Sequence, residues 1–203
     1  MDGVKNVVLF GGQGSPSLFS PHTASIASHD AQSSSAATIL LSRCHAAFLE
    51  EVFNIGSAPT EIFGSEEDFF SRPAKLLAPD PVYHDNPIIQ GTTICLYQLL
   101  RYISSVSSFP SVDLDSYLQQ TCETAGFCSG ILTASVVSSS KTIQQFIDFG
   151  VEAFRLAFWV GYRSSLYCQK VLGCRWKQLS WSLVVLGVDR KQMLAMLEEF
   201  RQV

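Results

Sequence analysis

A cysteine lies between two glycines in the stretch Glu123-Thr-Ala-Gly-Phe-Cys-Ser-Gly-Ile-Leu-Thr-Ala134. The pattern Gly-x-Cys-x-Gly is typical of a nucleophile elbow, a sharp turn that joins a strand to a helix. Glycines suit such a turn because side chains at its flanks would collide with the neighbouring strand or helix. We expect the thiol of Cys128 to be exposed at the start of that helix, where the helix dipole favours an anion, and the backbone N–H of Ser129 to face an oxyanion. The alternative is that Cys128 is a small, buried and unreactive residue in an ordinary turn.

A second glycine-rich motif stands near the start of the chain. The run Asn6-Val-Val-Leu-Phe10 predicts a strand at the centre of a parallel sheet, and it leads directly into Gly11-Gly12-Gln13-Gly14-Ser15. This motif lacks the Gly-Lys-Ser/Thr of a phosphate loop, and Ser17 stands where a dinucleotide fingerprint needs its last glycine. A tight loop that presents backbone N–H groups remains as one interpretation, and an ordinary strand-to-loop turn as the other.

Composition and charge exclude several classes of protein. The chain has 203 residues, 47% hydrophobic and 16% charged, enough for one globular core and a small second lobe. Its net charge is −4, and no basic run alternates with aromatic residues, so we expect no nucleic-acid partner. No signal peptide and no membrane-spanning run are recognised. The six cysteines form no Cys-x-x-Cys and have no zinc-finger spacing to histidine. We therefore predict reduced thiols in a cytoplasmic protein with no bound metal or cofactor.

Helical periodicity recurs in the first half of the chain. Apolar residues four apart predict a helix from about Ser35. Asn86-Pro87 predicts the start of a second helix, since proline is favoured in the first turn, and the segment 104–111 is expected to end it. Residues 15–37, rich in Ser and Ala, are predicted to be a surface loop or a weak helix.

The second half of the chain contains a longer helical pattern. Lys141 to Leu172 predicts one long helix or a kinked pair, with Gly150 and Gly161 as the breaks and an aromatic stripe that we expect to pack in the core. The run Trp181-Ser-Leu-Val-Val-Leu186 predicts a strand, and Asp189 the cap of a last helix.

The two glycine-rich motifs, in this order and about 115 residues apart, resemble those of the acyltransferase family of malonyl-type transacylases and synthase acyltransferase domains. Within that family the chain is most similar to the starter-unit acyl-carrier-protein transacylase (SAT) domain of fungal non-reducing polyketide synthases. The details that indicate this are Cys128 in place of serine, Phe127 in place of the usual histidine, and the runs Cys44-His-Ala-Ala-Phe-Leu-Glu50 and Phe154-Arg-Leu-Ala-Phe-Trp159.

The resemblance implies a mechanism. Cys128 would attack an acyl-CoA or acyl-carrier thioester, hold the acyl group, and pass it to the phosphopantetheine thiol of an acyl carrier protein. Gln13 and Ser129 would supply the backbone N–H groups of the oxyanion hole. Gly12, Gly14 and Phe127 would bind the substrate. The expected partners are the acyl donor, the carrier protein and the modules of a polyketide synthase.

The resemblance also bears on the substrate. Family members that take malonyl groups use an arginine after the elbow to pair with the free carboxylate, and that position falls near Val160-Gly161 here. Without a guanidinium a buried carboxylate would be unpaired. We therefore predict an uncharged acyl group, acetyl or a longer fatty acyl, although Arg163 lies close to this position.

The implied fold is α/β. Residues 1–178 would form part of an α/β-hydrolase-like large subdomain, a parallel sheet with helices, and residues 179–203 the first strand and helix of a ferredoxin-like subdomain. The family's base histidine lies well downstream of the nucleophile, whereas the four histidines here all precede it. We therefore expect a C-terminally truncated domain with slow self-acylation. The alternatives are a catalytically impaired remnant, a docking module of a polyketide synthase, and a cysteine-dependent hydrolase.

Overall fold

The computed structural model describes residues 7–12, 19–55, 72–107, 114–119 and 123–172, and single residues between 191 and 198. Contacts divide the chain into two compact units, residues 1–167 and 168–203. The predicted boundary at 178/179, the predicted strand from Trp181 and the site candidates Gln13 and Gly14 lie outside the described residues. In the second unit, residues 191, 192, 194, 195 and 198 are helical, where a last helix is expected.

Two strands and six α-helices make up the described part of the chain. The elements, in chain order, are β1 (Val7–Phe10), α1 (Pro21–Gln32), α2 (Ser35–Asn54), two short 3-10 helices (Pro73–Leu76 and Pro81–Tyr83), α3 (Pro87–Ser107), α4 (Leu114–Gln119), β2 (Glu123–Gly126), α5 (Gly130–Ser139) and α6 (Ile143–Leu172). Helix dominates, and the two strands pair in parallel. The arrangement therefore agrees with the predicted α/β class at this level.

The sheet brings the two glycine-rich motifs together. β1 and β2 pair in register from Val7 opposite Glu123 to Phe10 opposite Gly126. Because parallel strands point the same way, both carboxyl ends lie at one edge of the sheet, where each strand runs into its glycine motif. Apolar surface remains exposed on this sheet, since Leu9 is 74% exposed.

Of the two alternatives for residues 15–37, a loop or a weak helix, the helix is confirmed over much of the described part of that segment. Pro21–Gln32 forms α1, which Ser20 caps by accepting a hydrogen bond from the Thr23 N–H at 3.1 Å. Ser34 then caps α2 in the same way, through the Ala37 N–H at 3.2 Å. The buried residues of α1 are Ala27, Asp30 and Ala31, none of them large and apolar, so the usual apolar stripe is missing from its sequence.

The predictions for the two longest helices are confirmed, since α3 ends inside the segment 104–111 and α6 is the one long helix of the two alternatives. In the last turns of α3 the hydroxyls of Ser105 and Ser107 donate to helix carbonyls four residues earlier, at 2.7 Å each. α6 is continuous over 30 residues. Gly161 does not break it but permits close packing, because a Cβ there would lie 2.6 Å from the Cα of Ile88 on α3.

The core lies between α2, α3 and α6. Phe48 on α2 contacts the rings of Phe154 and Phe158 on α6, with centroids 6.5 and 5.5 Å away. All three side chains are buried, and so is Phe146, which confirms the core interpretation of the aromatic stripe. Among the described helices, none combines the length and the apolar character needed to cross a membrane.

Candidate active site

The turn between β2 and α5 has the geometry of a nucleophile elbow. The N–H of Phe127 donates to the carbonyl of Phe10 at 2.9 Å, so the last strand contact reaches one residue beyond β2. Cys128 follows with φ 55°, the one positive φ at a non-glycine among the described residues. A side chain held in this region costs about 1–3 kcal/mol of strain. The turn therefore keeps the cysteine in a conformation that the surrounding structure must impose.

The thiol at this turn is accessible. Cys128 is exposed, whereas Cys44 and Cys95 are buried, so the alternative of a buried, inert Cys128 is wrong. Burial raises the pKa of Cys95 to about 12 and that of Cys44 well above its ordinary value. Both buried thiols therefore stay protonated at neutral pH and cannot act as nucleophiles.

The glycine loop after β1 lies directly against the cysteine. A Cβ built on Gly12 would lie 2.4 Å from the Cβ of Cys128, 2.9 Å from the Phe127 carbonyl oxygen and 3.3 Å from the Cys128 Sγ. On the other side of the turn, a Cβ on Gly130 would lie 2.4 Å from the Phe10 carbonyl oxygen. The first-strand loop, the elbow and the start of α5 can approach this closely only with glycine at both positions.

The sequence-predicted residues that fall in the described ranges are neighbours in space. Phe127, Cys128 and Ser129 form the turn itself, and Gly12 packs on it. Phe127 is 79% exposed beside the thiol. The hydroxyl oxygen of Ser129 is buried without a hydrogen-bond partner among the described residues, and its side chain does not cap α5.

Sequence reasoning missed Gln98, a half-buried residue on α3. Its side-chain N–H donates to the carbonyl of Gly11 at 2.6 Å, and its Oε1 accepts from the Thr133 hydroxyl at 2.8 Å. Thr133 is buried on α5, the helix that follows the cysteine. The signal that could have found Gln98 is an amide side chain within the long apolar pattern of α3, where a buried polar group needs partners.

Two histidines, His29 and His84, contact residues outside the elbow. The ring of His84 stacks on Phe19 with centroids 4.3 Å apart, and its Nε2 lies 3.1 Å from the Pro79 carbonyl oxygen. His29 is exposed on α1, with its Nδ1 3.9 Å from Asp30. Within the described ranges, no group of three or more His, Cys, Asp and Glu side chains is arranged to hold a metal ion.

A mainly apolar cavity of about 510 Å³ opens beside β1 and between α1 and α3. Phe10, Gly11 and Gln98 are among its lining residues. Cys128 is not, so this cavity is separate from the thiol and lies behind the glycine loop.

Comparison with known proteins identifies the family. The family model described as "Starter unit:ACP transacylase in aflatoxin biosynthesis" matches residues 8–203. The chain is similar to an orsellinic acid synthase of Armillaria ostoyae, 35% identical over 96% of this chain and 9% of the relative. It is also similar to an orsellinic acid synthase of Beauveria bassiana, 32% identical over 78% of this chain and 7% of the relative.

A third relative is the non-reducing polyketide synthase 1 of Elsinoe fawcettii, 31% identical over 56% of this chain and 5% of that protein. The chain thus spans less than a tenth of the length of these relatives. They are fungal polyketide synthases, and the resemblance drawn from the two glycine motifs is confirmed. This chain belongs to the starter-unit acyl-carrier-protein transacylase family.

Proposed function

We propose that the chain loads a starter acyl group onto an acyl carrier protein through a thioester on Cys128. The observation that supports this most directly is the contact between Gly12 and an exposed cysteine held at positive φ. In this proposal, the nucleophile and the backbone N–H groups of the glycine loop act on the same carbonyl group. Acyl transfer needs that pairing, because charge develops on the carbonyl oxygen as the nucleophile attacks.

The reaction proceeds in two balanced halves. The thiolate of Cys128 attacks the carbonyl carbon of an acyl-CoA or acyl-carrier thioester, and the tetrahedral oxyanion collapses to expel the donor thiolate. The phosphopantetheine thiol of the acceptor passes its proton through solvent to the expelled donor thiolate, attacks the new thioester as a thiolate and releases Cys128 as thiolate. Each half exchanges one thioester for another, so the transfer is nearly isoenergetic and needs no ATP. The backbone N–H groups of Gln13 and Ser129 are the proposed oxyanion donors.

The acyl group that we propose is uncharged. Two arginines of α6 lie close in sequence to Val160, and both contact other side chains of the protein. Arg155 pairs with Glu50 and Glu51, and Arg163 lies over the ring of Trp159 with its Cζ 5.9 Å from the centroid. Val160, at the position where malonyl-specific members have arginine, offers no charge. A free carboxylate on the acyl group would therefore lack a partner there.

The chain would act as part of a polyketide synthase. We infer that its parallel sheet belongs to an α/β-hydrolase-like subdomain, with residues 179–203 beginning a ferredoxin-like one.

A second candidate function, docking without turnover, is favoured by the histidine contacts, since His29 and His84 interact with Asp30, Phe19 and Pro79. Acyl transfer stays the first candidate, because a cysteine nucleophile depends less on a base than a serine does: a few per cent of a cysteine is thiolate near neutral pH.

Mass spectrometry of the intact chain tests the proposal. Incubation with hexanoyl-CoA should add one hexanoyl group, and peptide mapping should place it on Cys128. The Cys128→Ala variant should gain nothing. Addition of a carrier protein that bears phosphopantetheine should then remove the group from Cys128 and acylate the carrier. Acylation that persists in Cys128→Ala, or release of free hexanoic acid without transfer, would contradict the proposal.

A further inference from the structure

Packing restrains the described part of the glycine loop, Gly11 and Gly12, since a Cβ on Gly130 would lie 2.5 Å from the Gly11 carbonyl oxygen. Pairing between the strands ends at Phe10 opposite Gly126, so the backbone leaves the ladder at Gly11. Gly11 is exposed, and a Cβ built on it would meet nothing within 4 Å. One residue later Gly12 must lie against Cys128. Packing alone does not fix the direction of the Gly11 carbonyl, so a polar contact to this oxygen adds a directional restraint.

The side-chain amide of Gln98 makes that contact. Its N–H donates to the Gly11 carbonyl at 2.6 Å. Because a trans peptide is planar, fixing the Gly11 carbonyl also fixes the Gly12 N–H, which points the opposite way. The hydrogen bond thereby sets the orientation of the Gly11–Gly12 peptide plane, which precedes the Gly12–Gln13 peptide. The N–H of that next peptide is the proposed oxyanion donor.

The other end of the same amide is also tied. The Thr133 hydroxyl donates to Gln98 Oε1 at 2.8 Å. This bond determines which amide atom faces Gly11, because the oxygen is taken by Thr133 and the N–H group is left for the carbonyl. Since Thr133 lies on α5, Gln98 joins the loop on one side of the cysteine to the helix on the other.

We propose that Gln98 is a positioning residue for the oxyanion hole. It fixes the Gly11–Gly12 backbone, from which the chain continues into Gln13, the proposed oxyanion donor. For its effect on acylation this inference rests on the proposed function. Removal of one oxyanion donor costs about 10²–10³ in rate in other acyl-transfer enzymes. Loss of Gln98 would displace a donor without removing it, so acylation should slow by a smaller factor.

The test compares two reactions of the same thiol. Acylation of Cys128 by hexanoyl-CoA passes through an oxyanion, whereas alkylation by iodoacetamide does not. Gln98→Glu keeps the size and the acceptor for Thr133 but replaces the donor with an oxygen. We expect it to slow acylation roughly 10- to 100-fold and to leave alkylation of Cys128 within about twofold, since only acylation needs the oxyanion hole. Peptide mapping separates Cys128 from the other thiols.

Gln90→Glu is the matched control. Gln90 is also half-buried on α3, and its amide donates to the His84 carbonyl at the same 2.6 Å. This variant makes the same chemical change away from the elbow. We expect it to leave the ratio of acylation to alkylation unchanged. An unchanged ratio in Gln98→Glu, or an equal fall in both variants, would overturn the inference.

Amide hydrogen exchange separates this inference from the proposed function. If hexanoyl-CoA does not acylate the unaltered chain, the proposed function fails, but the restraint on the loop can still be measured. We expect the Gly12 amide to exchange faster in Gln98→Glu than in Gln90→Glu and in the unaltered chain. Equal exchange in all three proteins would show that Gln98 does not hold the loop.

Discussion

The indole N–H of Trp159 donates to the carboxylate of Glu51 at 2.9 Å, across 108 residues of sequence. The guanidinium of Arg155 pairs with the same carboxylate and with that of Glu50. The runs that end at Glu50 and begin at Phe154 both carried the family resemblance. The structure shows why they occur together, since a buried carboxylate needs more than one donor.

Glu51→Gln should therefore destabilise the fold. The amide is neutral, so it loses charge-assisted hydrogen bonds worth about 2 kcal/mol at a largely buried position. We expect the free energy of unfolding, measured by urea titration, to fall by that amount. Glu50→Gln is the control because Glu50 is an exposed partner of the same arginine, and its loss should cost no more than about 1 kcal/mol. Equal losses in the two variants would contradict the assignment of Glu51 as the central residue.

Gly12→Ala should move the glycine loop after β1 away from the thiol of Cys128. Its Cβ would lie 2.4 Å from the Cβ of Cys128, so the loop or the elbow must move. A displacement of about 1 Å near reacting groups can cost roughly 100-fold in rate. We expect acylation by hexanoyl-CoA to fall by about that factor. Gly11→Ala is the matched control, since open space surrounds its Cβ, and it should retain most of the activity.

Replacing the cysteine should reveal the strain at the elbow. At φ 55° glycine is relaxed, whereas alanine keeps the steric cost of a side chain. Cys128→Gly should therefore be more stable than Cys128→Ala by about 1 kcal/mol, and neither should form an acyl-enzyme. Thermal or urea unfolding of the two variants measures this difference. Alanine equal to glycine would mean that the turn stores no strain.

Stability should fall at high pH because of Cys95. Burial raises its pKa from 9.0 to about 12 in the folded chain. Below pH 9 the thiol is protonated in both states, so its contribution is fully present. As the pH rises from 9 towards 12, the unfolded chain loses the proton first, and the free energy of unfolding falls by up to about 1.4 kcal/mol per pH unit. Cys95→Ala should show a shallower slope between pH 9 and 11 under reducing conditions, and an identical slope would contradict the assignment.

Val160→Arg should shift the acyl preference. A guanidinium at this exposed position of α6 can pair with the carboxylate of a malonyl group. We expect the ratio of malonyl to hexanoyl loading to rise at least about tenfold, the effect of a charge-assisted bond of roughly 1.5 kcal/mol. Leu156→Arg, one helical turn earlier and similarly exposed, is the control. Efficient malonyl loading by the unaltered chain would contradict the argument for an uncharged acyl group.

Local sequence signals accounted for most of the elements near the site. The glycines around Cys128 predicted the strand, turn and helix in the right order, because glycine spacing and a small-residue helix are properties of a few consecutive residues. The apolar run before Gly11 predicted β1 for the same reason. Helix α1 was predicted only as an alternative to a loop, because its buried residues, Ala27, Asp30 and Ala31, leave no stripe of large apolar side chains in the sequence.

The chain's own residue order was enough to indicate the elbow, the first-strand loop, the main helices and the family. It could not indicate that α6 runs unbroken past Gly161, since the reason is the backbone of Ile88 on another helix. Nor could it indicate Gln98, whose partners Gly11 and Thr133 lie 87 and 35 residues away. Periodicity and turn chemistry act between near neighbours, whereas close packing and the pairing of a buried amide depend on which distant backbones the fold brings together.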